Sequence, residues 1–264
     1  MRVTAIDGST AEAVDEGLGT PILVIHGGMG DPTAWKRVTD LLRPRFRTVR
    51  LHRRQYRMDL PRTITMADEV THVTAIAAEL DRPILVAHSS GAVLALEALV
   101  ANPELYSGAV LYEPPIVIGE PLGGDRLRPA RAALDAGRPG RALAIFLRDV
   151  VRMPAPAAFL AGFVVGRSGY RDRVVRQLDD NDAIDALGVR LSDYAGIRLP
   201  VLLIGGDRSP GHLAERLNAL AAALPRGRRL TMHGQGHSAE LRAPARVAAA
   251  IEKFIDRDVN RHVA

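Results

Sequence analysis

The stretch Pro83-Ile84-Leu85-Val86-Ala87-His88-Ser89-Ser90-Gly91-Ala92-Val93-Leu94-Ala95-Leu96-Glu97-Ala98-Leu99-Val100 decides how this chain folds. It opens as a short apolar run, as expected of a strand covered on both faces. It continues as a helical pattern, with Ala-His-Ser-Ser-Gly at the joint. A serine at a strand-to-helix turn projects its hydroxyl above the sheet, while the next amide and the helix N-terminus face developing negative charge. Such a turn is crowded and needs small neighbours: Gly91 meets that need, and Ala87 adds one methyl where glycine is commoner. Ser89 could also serve only as a helix N-cap; its place between strand and helix favours a nucleophile.

The same alternation extends in both directions. Candidate strands are Arg2–Ile6 and Ala11–Val14, read as an antiparallel hairpin, then Pro21–Ile25, Phe46–Leu51, Pro83–Ala87, Ala109–Tyr112, Pro200–Ile204 and Arg229–Met232. Candidate helices between them are Thr33–Leu42, Thr65–Leu80, Ser90–Ala101, Gly211–Leu224 and Pro244–Phe254. Strands alternating with helices predict a largely parallel sheet with crossover helices. The rhythm breaks once, from Pro114 to about Leu191, where Pro/Gly-rich joints separate amphipathic stretches at Arg128–Leu134, Ala142–Val151 and Arg171–Leu178. A helical insertion there would sit over the carboxyl ends of the strands, where open α/β sheets bind ligands. The expected organisation is a core of residues 1–113 and 191–264 with a helical cap of residues 114–190.

Two further loops carry chemistry. His26-Gly27-Gly28-Met29-Gly30 follows a strand, and its glycines let an amide turn toward an oxyanion. It lacks both the dinucleotide spacing and the Gly-Lys-Ser/Thr ending of phosphate loops. Gly234-Gln235-Gly236-His237-Ser238 follows the last strand, and places a histidine on a glycine-flanked loop that can swing it toward a neighbouring strand end as a general base. His26 and His88 are expected to brace the glycine loop and the serine turn; His212, His233 and His262 read as structural or surface residues. No histidine pair has zinc-site spacing, so no metal is expected.

The order H-G-G, H-S-S-G, G-Q-G-H, each after a strand, resembles the α/β-hydrolase superfamily over almost the whole chain. The resemblance implies an α/β-hydrolase fold: a mostly parallel eight-stranded sheet flanked by helices, with a helical cap inserted after the sixth strand. It implies Ser89 as nucleophile, His237 as base, the amides of Gly28 and Ser90 as oxyanion hole, and no cofactor. Two departures stand out. Many members carry Asp-Arg-Arg-Gly after the strand Phe46–Leu51, where this chain has His52-Arg53-Arg54-Gln55. The usual position of the triad acid holds Ser209, with Asp207 two residues early. Glu113 ends the preceding strand, from which some members of the family take their acid, and is the preferred acid, with Asp207 the alternative. Met29, Trp35, Met153, Phe159, Phe163 and Tyr170 are the expected lining of the substrate pocket.

The expected reaction is hydrolysis of a small, largely apolar ester, thioester or lactone through an acyl-enzyme on Ser89. Carbon–carbon bond hydrolysis, acyl transfer or perhydrolysis on the same residues is the alternative, and a non-catalytic ligand-binding protein the second. Serine at the turn argues against alkyl-halide or epoxide opening, which uses a carboxylate there. Composition narrows the rest. The 264 residues, 47% hydrophobic and 25% charged, are globular and contain no cysteine, which excludes disulfide scaffolds and thiol chemistry. The net charge of +5 rests almost wholly on arginine, since Lys36 and Lys253 are the only lysines; with abundant alanine this reads as the codon bias of a GC-rich genome. The cluster Arg43, Arg45, Arg47, Arg50, Arg53, Arg54, Arg57 and Arg62 lacks interleaved aromatics, so a solvated loop is expected there rather than an anion-binding patch. No apolar run reaches the ~18 residues of a membrane span, and no signal peptide is visible. The expected partner is a small-molecule substrate, without nucleic acid or membrane, for a cytoplasmic monomer or homodimer.

Overall fold

The computed structural model describes residues 1–62, 64–166 and 170–259. His262 and the last residues of the expected core segment lie outside the described residues. Eight strands form one sheet: β1 (Arg2–Thr4), β2 (Thr10–Glu16), β3 (Thr20–Ile25), β4 (Phe46–His52), β5 (Ile84–His88), β6 (Gly108–Tyr112), β7 (Val201–Gly206) and β8 (Gly227–Met232). Their spatial order is β1-β2-β4-β3-β5-β6-β7-β8. The β1–β2 and β2–β4 pairs are antiparallel and the rest parallel, giving the expected mostly parallel sheet. Ile25 pairs with Ala87 and His88 with Tyr112, so β3, β5 and β6 end level and their loops emerge side by side. The chain order reverses around β3, which makes this edge the crevice of an open α/β sheet.

Helices cover both faces. The helices α1 (Lys36–Leu42), α2 (Met66–Ala78) and α3 (Ser90–Ala101) alternate with the first strands. The insertion supplies α4 (Arg128–Asp135), α5 (Pro139–Asp149), α6 (Ala155–Gly166) and α7 (Arg171–Leu187). A one-turn α8 (Leu191–Tyr194), α9 (Gly211–Ala223), a one-turn α10 (Ala239–Arg242) and α11 (Pro244–Phe254) complete the chain. One face of the sheet buries Trp35, Val38 and Leu42 with Val247, Ile251 and Phe254 of α11. The other buries α2, α3 and α9 together with α4, α5 and α7 in one continuous apolar cluster. An amphipathic helix gains most of its stability from such a buried face; α3, apolar nearly all round, is buried throughout its first ten residues. The Thr65 hydroxyl and the Asp68 carboxylate start α2 with a reciprocal capping box.

Residues 114–190 hold no strand among the described residues, only one isolated parallel bridge, Val117 to Val189, which pins the two ends of the insertion together. The arginine cluster is neither a solvated loop nor an anion patch. Arg47 pairs with Asp15, Arg50 with Glu16, Arg54 with Asp7, Arg57 with Glu12 and Asp59, and Arg62 with Asp179. Arg53 is wholly buried between Glu69 and Asp180. Apart from Asp59, these carboxylates lie far from the run in sequence, a pairing that local charge spacing does not reveal.

Candidate active site

The turn from β5 into α3 holds Ser89 at φ 52° and ψ −128°. This left-handed conformation costs a residue with a side chain about 1–2 kcal/mol, so the surroundings must enforce it. The Ser89 amide donates to the Tyr112 carbonyl at 2.9 Å, and the Ser89 carbonyl accepts from Ala92 and Val93 in the first turn of α3. Gly91 lets the glycine loop press against this turn: a Cβ there would lie 2.2 Å from the His26 carbonyl oxygen. Met29 and Glu113 also have positive φ, 55° and 46°. Backbone strain thus gathers in the three loops at the ends of β3, β5 and β6, as it does at functional sites.

His237 lies on the loop between β8 and α10. Its Nδ1 and Glu113 Oε2 are 2.6 Å apart, and Glu113 is 1% exposed. The other carboxylate oxygen, Oε1, accepts the Gly206 amide at 2.7 Å, so both oxygens of this buried group are engaged. An ionised Glu113 fixes the proton of His237 on Nδ1 and leaves Nε2 free to accept another. Two strand-end residues hold the loop in place. His88 Nε2 donates to the His237 carbonyl at 2.8 Å, and the Tyr112 hydroxyl donates to the Gly236 carbonyl at 2.6 Å. Burial holds His88 well below the ordinary histidine range, which keeps it a neutral donor. Its ring centre stands 4.7 Å from that of His237, placing the histidine beside the residue preceding Ser89. Asp207 is turned elsewhere: Oδ1 accepts the Gly234 amide at 2.7 Å and Oδ2 meets His233 Nδ1 at 3.1 Å. It shapes the loop that carries His237. Of the two candidate acids, Glu113 is the one on the histidine.

On the other side of Ser89, the glycine loop is braced by His26. Its Nδ1 donates to the Gly27 carbonyl at 2.8 Å and its Nε2 accepts the Arg53 amide at 3.3 Å, an arrangement that needs a neutral ring. Burial, with the nearby Arg53 charge, lowers its pKa to about 3 and secures that state. Gly28 faces the α7 side chain Gln177: a Cβ on Gly28 would stand 1.9 Å from Gln177 Oε1. Ser90, the other expected oxyanion donor, is buried at the start of α3, and its hydroxyl accepts from Arg53 Nη1 at 2.8 Å.

The model of the alpha/beta hydrolase family matches residues 22–250. The chain belongs to the alpha/beta hydrolase family. It is an enzyme of the hydrolase type. Among solved structures, an alpha/beta hydrolase from Sphaerobacter thermophilus DSM 20745 superposes with a TM-score of 0.84 at 23% identity, over 97% of this chain and 100% of that one. A thermophilic esterase from Thermogutta terrifontis gives 0.76 at 18% identity, with 98% of each chain covered. The esterase RhEst1 from Rhodococcus sp. ECU1013 gives 0.73 at 20%, again over 98% of each. No curated protein matches the chain in sequence.

The residues expected to line a pocket in this hydrolase fall in separate places. Trp35 is fully packed in the core beneath the sheet, its ring centre 6.1 Å from that of His88, so it supports the turn and does not line an open pocket. Phe159 and Phe163 line a groove of about 910 Å³ between α6 and α5, built wholly from residues of the insertion. Tyr170 is exposed beneath the Arg173 guanidinium. Met153 is half-buried after α5, and Met29 packs at the edge of the core beside Gly28. Among the described residues, no three His, Asp or Glu side chains are grouped to hold a metal ion, and no helix is long and apolar enough to cross a membrane. Sequence reasoning missed Tyr56, Glu69, Gln177 and Asp180 around the site. The arginine match at Arg53 was the one available signal for them.

Proposed function

We propose that this hydrolase cleaves a small, largely apolar ester, thioester or lactone by a serine mechanism. Ser89 Oγ attacks the carbonyl carbon while Nε2 of His237 takes the hydroxyl proton. Glu113 holds the resulting imidazolium through Nδ1. The amides of Gly28 and Ser90 donate to the tetrahedral oxyanion, each contributing about 3 kcal/mol. The imidazolium then protonates the leaving group, and the same Nε2 activates the water that releases the acid and restores Ser89. Residues 114–190 act as a cap over this chemistry. The observation that carries the reading is the 2.6 Å contact of His237 Nδ1 with a carboxylate whose second oxygen is held by Gly206. With Nδ1 engaged, Nε2 is the nitrogen that this reading assigns as the base for Ser89.

The experiment combines p-nitrophenyl esters of graded acyl length with a fluorophosphonate probe and peptide mass spectrometry. Wild type is expected to hydrolyse the short esters and to carry the probe on Ser89. Ser89→Ala is expected to lose both, with a melting temperature close to wild type. A probe adduct on Ser209, or an active Ser89→Ala enzyme, overturns the assignment.

A further inference from the structure

The helix α7 belongs to the inserted segment, yet its inward side chains are bonded to the glycine loop after β3 and to the segment after β4, whose Arg53 reaches Ser90. Arg173, Gln177 and Asp180 follow one another at spacings of four and three, which puts them on one face of the helix. Arg173 Nη1 donates to the carbonyls of Met29 at 2.9 Å and Gly30 at 3.3 Å, and its Nη2 to the Asp31 carboxylate at 3.2 Å. One turn on, Gln177 lies against Gly28 in space that any Cβ would fill. One turn further, Asp180, 1% exposed, accepts from Arg53 Nη2 at 2.8 Å and Nη1 at 3.2 Å. That same Nη1 donates to the Ser90 hydroxyl at 2.8 Å. The Tyr56 hydroxyl joins the two lower positions, 2.8 Å from Asp180 Oδ2 and 3.2 Å from Gln177 Oε1.

We infer that Arg173, Gln177 and Asp180 are positioning residues for the oxyanion hole. One face of a cap helix sets both donating amides: Gly28 directly and through the carbonyls that follow it, and Ser90 through Arg53. The inference rests on the serine reading above, in which those amides face the reacting carbonyl. The physical need is plain from the sequence. Gly27-Gly28-Met29-Gly30 has little stiffness of its own, and an oxyanion donor is effective only when held 2.7–3.1 Å from where the charge develops. Arg173 ties down the carbonyls on the far side of Gly28, including that of the strained Met29. At Ser90, the guanidinium that grips the hydroxyl is fixed between Glu69 of α2 and Asp180 of α7, so core and insertion share one buried ion cluster. Lifting α7 would leave Arg53 with one carboxylate fewer and unpin both donors together.

The test measures kcat and KM on a short p-nitrophenyl ester, with fluorophosphonate labelling rates, for Arg173→Met, Arg173→Lys, Gln177→Ala, Asp180→Asn, Ser90→Ala and the double variant Ser90→Ala/Asp180→Asn. Misplacing a donor by a fraction of an ångström is expected to lower kcat and the labelling rate roughly ten- to a hundred-fold, with KM moving far less and the label still on Ser89. Arg173→Lys is expected to recover part of the loss in Arg173→Met, because one ammonium can still reach a carbonyl. Ser90→Ala keeps the amide and removes the grip of Arg53, so the double variant is expected to lose little more than either single one. Wild-type kcat in Arg173→Met and Asp180→Asn, or fully multiplicative losses in the double variant, overturns the inference. If Asp180→Asn does not fold, Arg173→Met decides, since its guanidinium is part-exposed at the surface. An active Ser89→Ala enzyme would instead remove the serine reading itself. An inactive Ser89→Ala beside unimpaired α7 variants removes only the inference.

Discussion

Glu240→Gln should make this hydrolase more stable at alkaline pH and leave it little changed in mild acid. Glu240 sits on α10, 6% exposed, and its Oε2 is buried without a hydrogen-bond partner. Burial, reinforced by the negative charge of Glu113, pushes its pKa from the ordinary 4.5 up to about 7, against the opposing pull of His237 and a backbone amide. The folded protein therefore holds a proton that the unfolded chain releases near pH 4.5. Between those two values the native state binds more protons, so stability falls as pH rises through that window and levels off above it. A displacement of this size corresponds to about 3 kcal/mol lost by pH 8. Glutamine copies the neutral acid and has no proton to lose. Thermal unfolding of both proteins at pH 5 and pH 8 reads the difference. The melting temperatures should lie within about 2 °C of each other at pH 5 and separate further at pH 8, with the variant higher by roughly 6 °C, taking about 2 °C per kcal/mol for a chain of this size. Equal separations at the two pH values, or a less stable variant at pH 8, would refute the reasoning.

Glu113→Gln should lower kcat on the order of 10⁴-fold. With the amide oxygen kept on Gly206, its NH₂ must donate to Nδ1 of His237 and so puts the ring proton on Nε2, the wrong nitrogen. Asp207→Asn should cost far less, since its oxygen can still accept the Gly234 amide; the reverse ranking in steady-state assays would exchange their roles. His237→Ala should lose activity almost as severely as Ser89→Ala, because members of such a unit do not contribute independently. An active His237→Ala enzyme contradicts the assignment. Gly91→Ala should destabilise the fold by about 3 kcal/mol, since its methyl would collide with the His26 carbonyl; an unchanged urea midpoint would show that the loops can separate freely.

The sheet was legible because its central strands β3, β5, β6 and β7 are short apolar runs between turn signals, and all eight strands were found within a few residues of their observed limits. Ser90–Ala101 and Pro244–Phe254 match their expected limits. The insertion was read less fully. The helix α6 (Ala-Pro-Ala-Ala-Phe-Leu-Ala-Gly-Phe-Val-Val-Gly) has no polar face to mark a period, and prolines stand at and before its start. The second half of α7, Asp179-Asp180-Asn181-Asp182, is made of weak helix formers that tertiary ion pairs hold in place. The contact of Glu113 with His237 was anticipated from chain order and strand ends. The partners of Arg53 were not, because Glu69 and Asp180 lie 16 and 127 residues away and single-sequence patterns carry no information at that range.

The bonds of α7 also bear on how this fold could be recombined. By chain order the removable piece runs from residue 114 to residue 190, between the two ends joined at Val117 and Val189. By hydrogen bonds the seam runs elsewhere. Arg176 donates to the carbonyls of Pro61 and Leu60 at 2.9 and 2.7 Å, and the Gln55 amide donates to the Arg176 carbonyl at 2.7 Å, in addition to the contacts that reach Met29 and Arg53. A chimera that exchanged the whole insertion would cut through a buried charge cluster. One that exchanged α4, α5 and α6 and kept the native α7 would leave that cluster intact. Even then Arg131 of α4, which pairs with Asp179 and Asp182 of α7, would have to be kept, so the seam of exchange follows the ion pairs and not the chain order.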